Sequence, residues 1–312
     1  MQTLIIDRKD SVLSLQDKRL RIEIPGQRRP QYIPLTMVER VVITAGVNLH
    51  SGLLSALAAA GAGVLILSPR DHRRTAMVLP PYGHDHALRL QQYRVVSDEA
   101  QCCAIAAAMV RMKLTGQRRT LRMLTHRGQH NRAALRALPE LTARLRNERN
   151  LSLETIRGIE GGAASLYFQS LAEDLPASLG FTTRKRRPPP DPVNALLSLS
   201  YTLLHFDAVR TLLTSGFDPC LGFLHCAQYS RESLACDCIE PLRPLVDRWV
   251  LKLFRSRIIR AESFAMQQGA CRLGKAGRRE FYMQWEQFAP LPRKALQRGV
   301  RLLRDAVRIG VR

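Results

Sequence analysis

A chain of 312 residues, 46% of them apolar, has the length and composition for one large or two modest globular domains, which excludes a disordered or fibrous chain. Lys and Arg number 48 against 26 Asp and Glu, a net charge of +22, so the expected partner is a polyanion, nucleic acid above all. Only seven of those bases are lysine; the other 41 are arginine, whose planar guanidinium suits phosphate. No opening apolar run has the length of a membrane span, and seven cysteines, an odd number, argue against a disulfide framework; together these predict a cytoplasmic protein with no membrane partner.

The first 80 residues read as strands. TLIID (Thr3 to Asp7), SVLSL, RLRIEI, QYIPL and VERVVITAG are short runs at turn-sized spacing. In RLRIEI, Leu20, Ile22 and Ile24 face one side and Arg19, Arg21 and Glu23 the other. A helix is predicted from His50 to Ala60, stopped by Gly61, followed by the strands GVLIL and RTAMVLP. This predicts a small β-sandwich-like domain with one helix over residues 1–80. PPYGHDH (Pro80 to His86) falls at a turn-rich linker, placed at 81–88.

Residues 89–312 read as a larger all-α domain, so the expected class is α+β with two domains. RLQQYRVVSDEAQCCAIAAAMVRMKL has helical spacing, PELTARLRN is read as a helix with Pro139 in its first turn, and Leu242, Leu245, Val246, Trp249, Val250, Leu253 and Phe254 mark a long amphipathic helix. Residues 1–88 carry 11 basic and 7 acidic side chains, and the remainder 37 and 19, so the polyanion surface belongs to the helical domain. The tail PRKALQRGVRLLRDAVRIGVR, with seven bases and one acid, reads either as a phosphate-facing or as a solvated basic helix.

Three stretches of this domain hold candidate chemistry. GIEGGAASLYFQSL sets Glu160 among Gly158, Gly161, Gly162, Ala163 and Ala164; the glycines imply close approach to the backbone, for which a neighbouring helix is the plain explanation. A buried glutamate there needs a metal ion or a base as partner. RKRRPPPDPVNALLSLSYTLL puts the basic run Arg184, Lys185, Arg186 and Arg187 ahead of stiff prolines, with Asp191 as cap and Pro192 at a helix start. GFDPCLGFLHCAQYSRESLACDCIEPLRP is read as a turn, a short helix bearing His225, and then Asp237 and Glu240, whose spacing of three puts both carboxylates on one helical face. A lone histidine is commonly a core or capping residue. Glutamate, histidine and a carboxylate pair together are a ligand set for Mg²⁺ or Mn²⁺. Cys220, Cys226, Cys236 and Cys238 lack the spacing of a structural zinc site and read as small apolar residues.

In order and spacing, GIEGGAASLYF, RRPPPDPVNALLSLSYTLL, GFDPCLGFLH and DCIEPLRPLVDRWVL resemble the CRISPR-associated integrases, the Cas1 family of spacer acquisition; VERVVITAGVNLHSGLLSALAAAGAGVLILS resembles that family's β-domain. Cys236 and Cys238 depart from the pattern by flanking Asp237 where apolar residues are commoner. The resemblance implies a metal-dependent endonuclease and integrase. A prespacer 3′-hydroxyl would be joined to the edge of a CRISPR repeat by transesterification. It implies metal held by Glu160, His225 and Glu240, with Asp237 as alternative ligand, and catalysis by the same four. It also implies a homodimer formed through the β-domain and assembly with the small partner Cas2. Arg184, Lys185, Arg186, Arg187 and Arg243 are candidate phosphate contacts, and Tyr167 and Tyr201 candidate base-stacking residues or core aromatics. The competing classes are a metal-dependent nuclease that hydrolyses branched DNA or RNA and a non-catalytic basic architectural protein.

Overall fold

The computed structural model describes residues 2–67, 75–81, 83, 85–124, 128–148, 150–185, 188–225 and 232–309. The chain divides into two compact units, one of residues 1–84 with 213–215 and one of 85–212 with 216–312.

The first unit holds β1 (Gln2–Ile6), β2 (Val12–Gln16), β3 (Arg19–Glu23), β4 (Gln31–Pro34), β5 (Val38–Ile43), β6 (Asn48–Leu49), α1 (Ser51–Ala59), β7 (Gly63–Leu67) and β8 (Thr75–Val78). They form two four-stranded sheets, ordered β1-β5-β7-β8 and β4-β3-β2-β6. The β2–β3 hairpin turns on Asp17 and Lys18 alone, both at positive φ, the geometry of a two-residue turn that matches strand twist. In β3 the alternation read from sequence puts Leu20 and Ile22 into the core. They meet Leu13 of β2, Val41 and Val64 of the other sheet, and Leu53 and Leu57 of α1. β5 lies between two parallel neighbours, and five of its six residues are buried, the charged Arg40 among them.

The second unit is helical: α2 (His86–Ser97), α3 (Glu99–Arg122), α4 (Gln129–Asn147), α5 (Leu153–Asp174), α6 (Pro192–Thr214), α7 (Ser233–Ile239), a 3₁₀ turn (Glu240–Leu242), α8 (Arg243–Arg255), α9 (Lys275–Phe288) and α10 (Pro290–Ile309). It is not all-α. Two strands, β9 (Phe264–Gln267) and β10 (Ala270–Leu273), form a hairpin whose turn is again two residues at positive φ, Gln268 and Gly269. Strands this short carry too little periodicity to stand out against helical neighbours. The Cys271 amide donates to the Pro189 carbonyl at 2.8 Å, which ties the hairpin to the prolines ahead of α6.

Side-chain caps set the helix starts that matter. The Asp85 carboxylate accepts from the Leu88 amide at 2.9 Å and begins α2, inside the stretch read as linker. Asp98 accepts from the Gln101 amide at 3.0 Å and separates α2 from α3, so one predicted helical run is two helices. Pro139 does not open a helix; it lies inside α4, where Asn131, Ala134, Leu138 and Leu145 form a buried face that runs across it. Packing along that face outweighs the local cost of the proline. α8 and α9 meet through Trp249, stacked on Phe288 with centroids 4.8 Å apart and edge-on to Phe281 and Trp285. α10 buries Leu296, Val300, Leu303 and Val307 and turns Arg298, Arg301 and Arg308 outward. No described helix is long and apolar enough to cross a membrane.

α6 starts where the sequence places it. Asp191 accepts from the Asn194 amide at 2.8 Å and from its side chain at 2.6 Å, and Asn194 in turn accepts from Arg184 at 2.8 Å. Asp191→Ala is expected to lower the unfolding free energy by about 1–2 kcal/mol, the usual worth of a lost helix cap, read as a shift of the denaturant midpoint at constant slope.

Candidate active site

The three candidate acids and the histidine come from four places in the second unit: Glu160 from the middle of α5, His225 from the irregular segment after α6, Asp237 from α7 and Glu240 from the 3₁₀ turn. The segment bearing His225 is not helical as far as it is described; residues 226–231, Cys226 among them, lie outside the described residues.

Glu160 and Glu240 converge on a residue that sequence reading missed, Lys113 of α3. Its ammonium donates to Glu240 Oε2 at 2.6 Å and to Glu160 Oε1. Lys113 and Glu240 are almost entirely buried, and Glu160 is partly open. Arg243, first residue of α8, pairs with the other oxygen of Glu240 at 2.9 Å. Burial pushes the Glu240 carboxyl up, yet Arg243 and Lys113 outweigh it and hold it at about 2. Burial also presses the Lys113 ammonium towards neutrality, and the two carboxylates reverse that, so its pKa lies above the usual lysine value. The close approach of α3 to the turn depends on Gly116, where a Cβ would sit 3.1 Å from the Pro244 ring. Lys113 lies one turn earlier on the same face.

Asp237 and Glu240 do not act as a pair: although three residues apart, their carboxylates take different partners, His225 for one and Lys113 for the other. Asp237 is fully buried and saturated. It accepts from the amides of Phe223 (2.7 Å), Leu224 (2.9 Å) and His225 (3.1 Å), and its Oδ1 lies 2.6 Å from His225 Nδ1. A carboxylate acceptor there puts the imidazole proton on Nδ1 and leaves the Nε2 lone pair free. Gly222 makes room for it: a Cβ at 222 would lie 2.6 Å from Asp237 Oδ2. Among the described residues no group of three His, Cys, Asp or Glu forms a metal cluster.

Tyr167 and Tyr201 share one acceptor, Asp247 of α8, which was also missed. Tyr167 donates to Oδ2 at 2.9 Å and Tyr201 to Oδ1. Tyr167 is completely buried, so it offers no ring face to a base; its place is the core. The Tyr201 ring is covered by the Arg243 and Arg184 guanidinium groups, 4.4 and 5.5 Å from its centroid. Desolvation raises the Asp247 carboxyl to about 6, against the lowering pull of the two hydroxyls and of Arg243 and Arg184.

Lys113, Glu160, Arg184, Tyr201, Glu240 and Asp247 line a cleft of about 40 Å³. Arg184 is held by Asn194 and Ser198, Lys185 is exposed, and Arg186 and Arg187 lie outside the described residues. Gly158, Gly161 and Gly162 are exposed, and a Cβ at any of them would meet nothing within 4 Å. By helical period they lie on the face of α5 away from Glu160, so neither a neighbouring helix nor the cleft accounts for them. Cys236 Sγ lies 4.0 Å from His205 Nδ1, whose other nitrogen lies 3.3 Å from Glu232.

Solved structures share this architecture. A Cas1 protein from Thermotoga maritima superposes with a TM-score of 0.85 at 20% identity, covering 99% of this chain and 97% of that one. A casposase bound to integration product gives 0.84 at 22% identity, over 98% and 90% of the two chains. The family model described as CRISPR associated protein Cas1 matches residues 4–287, and the chain belongs to that family. A relative from Thermodesulfovibrio yellowstonii, named CRISPR-associated endonuclease Cas1, is 35% identical over 293 residues, 92% of this chain and 91% of its own. One of the same name from Thermus thermophilus is 37% identical over 254 residues, 81% and 74% of the two chains.

Asp247 generates a pH test. Its folded pKa, about 6, lies above its ordinary 3.8, so the native state holds this proton more tightly than the unfolded chain does. The stability it contributes is full below 3.8 and is lost as pH rises through about 6. Asp247→Asn should remove roughly 2–3 kcal/mol of that pH dependence, seen as a flatter stability profile between pH 4 and 7 than in the wild type.

Proposed function

We propose that the second unit is a metal-dependent DNA-joining site of CRISPR adaptation, in which a prespacer 3′-hydroxyl attacks a phosphodiester at the edge of a CRISPR repeat. The observation that carries this reading is the convergence of Glu160 and Glu240 on a single cationic centre, beside an imidazole whose Nδ1 is tied to a buried aspartate. Such oxygen and imidazole donors fit Mg²⁺ or Mn²⁺. Glu160, His225 through Nε2, and Glu240 would hold the ion. Asp237 is then the positioning acid, since its two oxygens are already engaged by three amides and the imidazole.

When bound, the ion supplies charge neutralisation at the phosphate and lowers the pKa of a coordinated hydroxyl. The chain's own groups do the rest. Asp237 fixes the ring of His225. Arg243 and Arg184 bring positive charge to the cleft wall, and Lys185 is exposed beside it for a backbone phosphate, with Arg186 and Arg187 next in sequence. In the joining step the incoming 3′-oxygen forms a new P–O bond and loses its proton. The P–O bond to the outgoing 3′-oxygen breaks, and that oxygen takes up a proton, so the count of phosphodiester bonds is unchanged.

Solved complexes similar to this chain include a Cas6-RT-Cas1–Cas2 assembly, aligned with a TM-score of 0.83 at 22% identity over 98% of this chain and 35% of that one. On this reading the chain works as a homodimer through its β-rich first unit and joins Cas2. A second reading, hydrolysis at the same site, draws on the endonuclease names of the relatives. Water then replaces the 3′-hydroxyl as nucleophile.

The deciding experiment supplies a labelled prespacer with free 3′-hydroxyls and a supercoiled plasmid bearing the repeat. Joined products support the integrase, nicked plasmid without joining supports the nuclease, and activity that survives EDTA excludes both. Glu160→Ala and His225→Ala should each abolish joining and leave DNA affinity within a few-fold; normal joining by either with Mn²⁺ would overturn the ligand assignment. DNA affinity itself should fall steeply with salt, by about 10³-fold or more between 50 and 200 mM if six or more phosphates are neutralised.

A further inference from the structure

We propose that Lys113 is a placeholder cation: its ammonium holds the Glu160 and Glu240 carboxylates together in the metal-free protein and is exchanged for the divalent ion when the site is loaded. The proposal rests on the reading of those two carboxylates as metal ligands. It goes further by giving the metal-free state its own resident counter-ion.

The geometry argues for a bridge and not for an ordinary structural ion pair. Glu240 also has a partner in Arg243 on its other oxygen, and Glu160 is partly open to solvent, so each acid has a source of stabilisation besides Lys113. What Lys113 does is bring two carboxylates from different helices to one point. With Arg243 the four charges sum to zero. A divalent ion arriving at the same oxygens while the ammonium stayed would set two cations against each other in a site of low dielectric. The ammonium therefore leaves as the ion enters. It can do so without backbone movement. The lysine stem has four rotatable methylenes, whereas α3 itself is held against the 240–244 turn at Gly116. The adjoining cleft, with Gln117 and Ala164 in its wall, gives the side chain somewhere to go. Arginine at 113 would not serve equally well, because a planar bidentate fork is harder to displace from a carboxylate.

The test is Mn²⁺ binding by calorimetry to the full chain, stripped with chelator and free of DNA. Lys113→Met should bind Mn²⁺ about tenfold more tightly or better, because the two carboxylates lose their internal competitor. Equal or weaker binding overturns the proposal. Absence of any Mn²⁺ binding that depends on Glu160 and Glu240 in the wild type overturns the ligand reading itself, and the placeholder with it. Should Lys113→Met fail to fold, the wild type answers instead. Amine-selective labelling with peptide mapping should find Lys113 protected without metal and labelled about tenfold faster at saturating Mn²⁺, as expected of a group released from burial and pairing. The other six lysines serve as internal controls. A Lys113 that stays protected with Mn²⁺ bound rules the exchange out.

Discussion

The arrangement of the helical unit turns on one constraint: Glu240 is a buried carboxylate, and a buried charge is tolerated only when it is paired and hydrogen-bonded. Its two oxygens are met by Lys113 and Arg243. Lys113 can reach it only because Gly116 lets α3 lie against the turn that carries Glu240, and the same ammonium draws in Glu160 from α5. Three separate elements are thereby fixed around one small cleft. Such a cluster contributes little net stability compared with apolar packing of equal volume. Its value is positional, since it keeps two acids in register while nothing else is bound.

Around that centre, each buried acid has a distinct task. Asp237 organises the segment that carries His225 by accepting three of its amides, and the same carboxylate fixes the imidazole tautomer. Asp247 accepts from two tyrosines and so fixes the Tyr201 ring, on which Arg243 lies. A chain of contacts thus runs from Asp247 through Tyr201 and Arg243 to Glu240 and Lys113.

The strands of the first unit were legible because their signals are local: alternation in RLRIEI, and a turn every few residues. Glu160, His225 and the acids of DCIEP stood out as residue types in a basic domain, and the family resemblance tied them together. Signals that depend on distant partners did not show. Lys113 sits in an apolar helical run with nothing beside it in sequence to mark it, and it belongs to the site only because residues 47 and 127 positions away fold onto it. Asp247 reads as the polar edge of an amphipathic helix and is instead buried under two hydroxyls. The interior Pro139 was misread for the same reason, since packing along α4 outweighs local propensity, and the β9–β10 hairpin because its strands are too short to show a period.

By itself the sequence set the expectation of a polyanionic partner, through its excess of arginine, and the succession of elements, through periods of two and 3.6. It also determined the residue types available for chemistry. Only the tertiary structure decided which acid does what. Asp237 and Glu240 are three residues apart and look interchangeable on a helical wheel. In the fold one carboxylate meets the amides and ring of His225, and the other a lysine on a distant helix. A carboxylate's role is set by the donors that surround it, and those donors are assembled only when the chain folds.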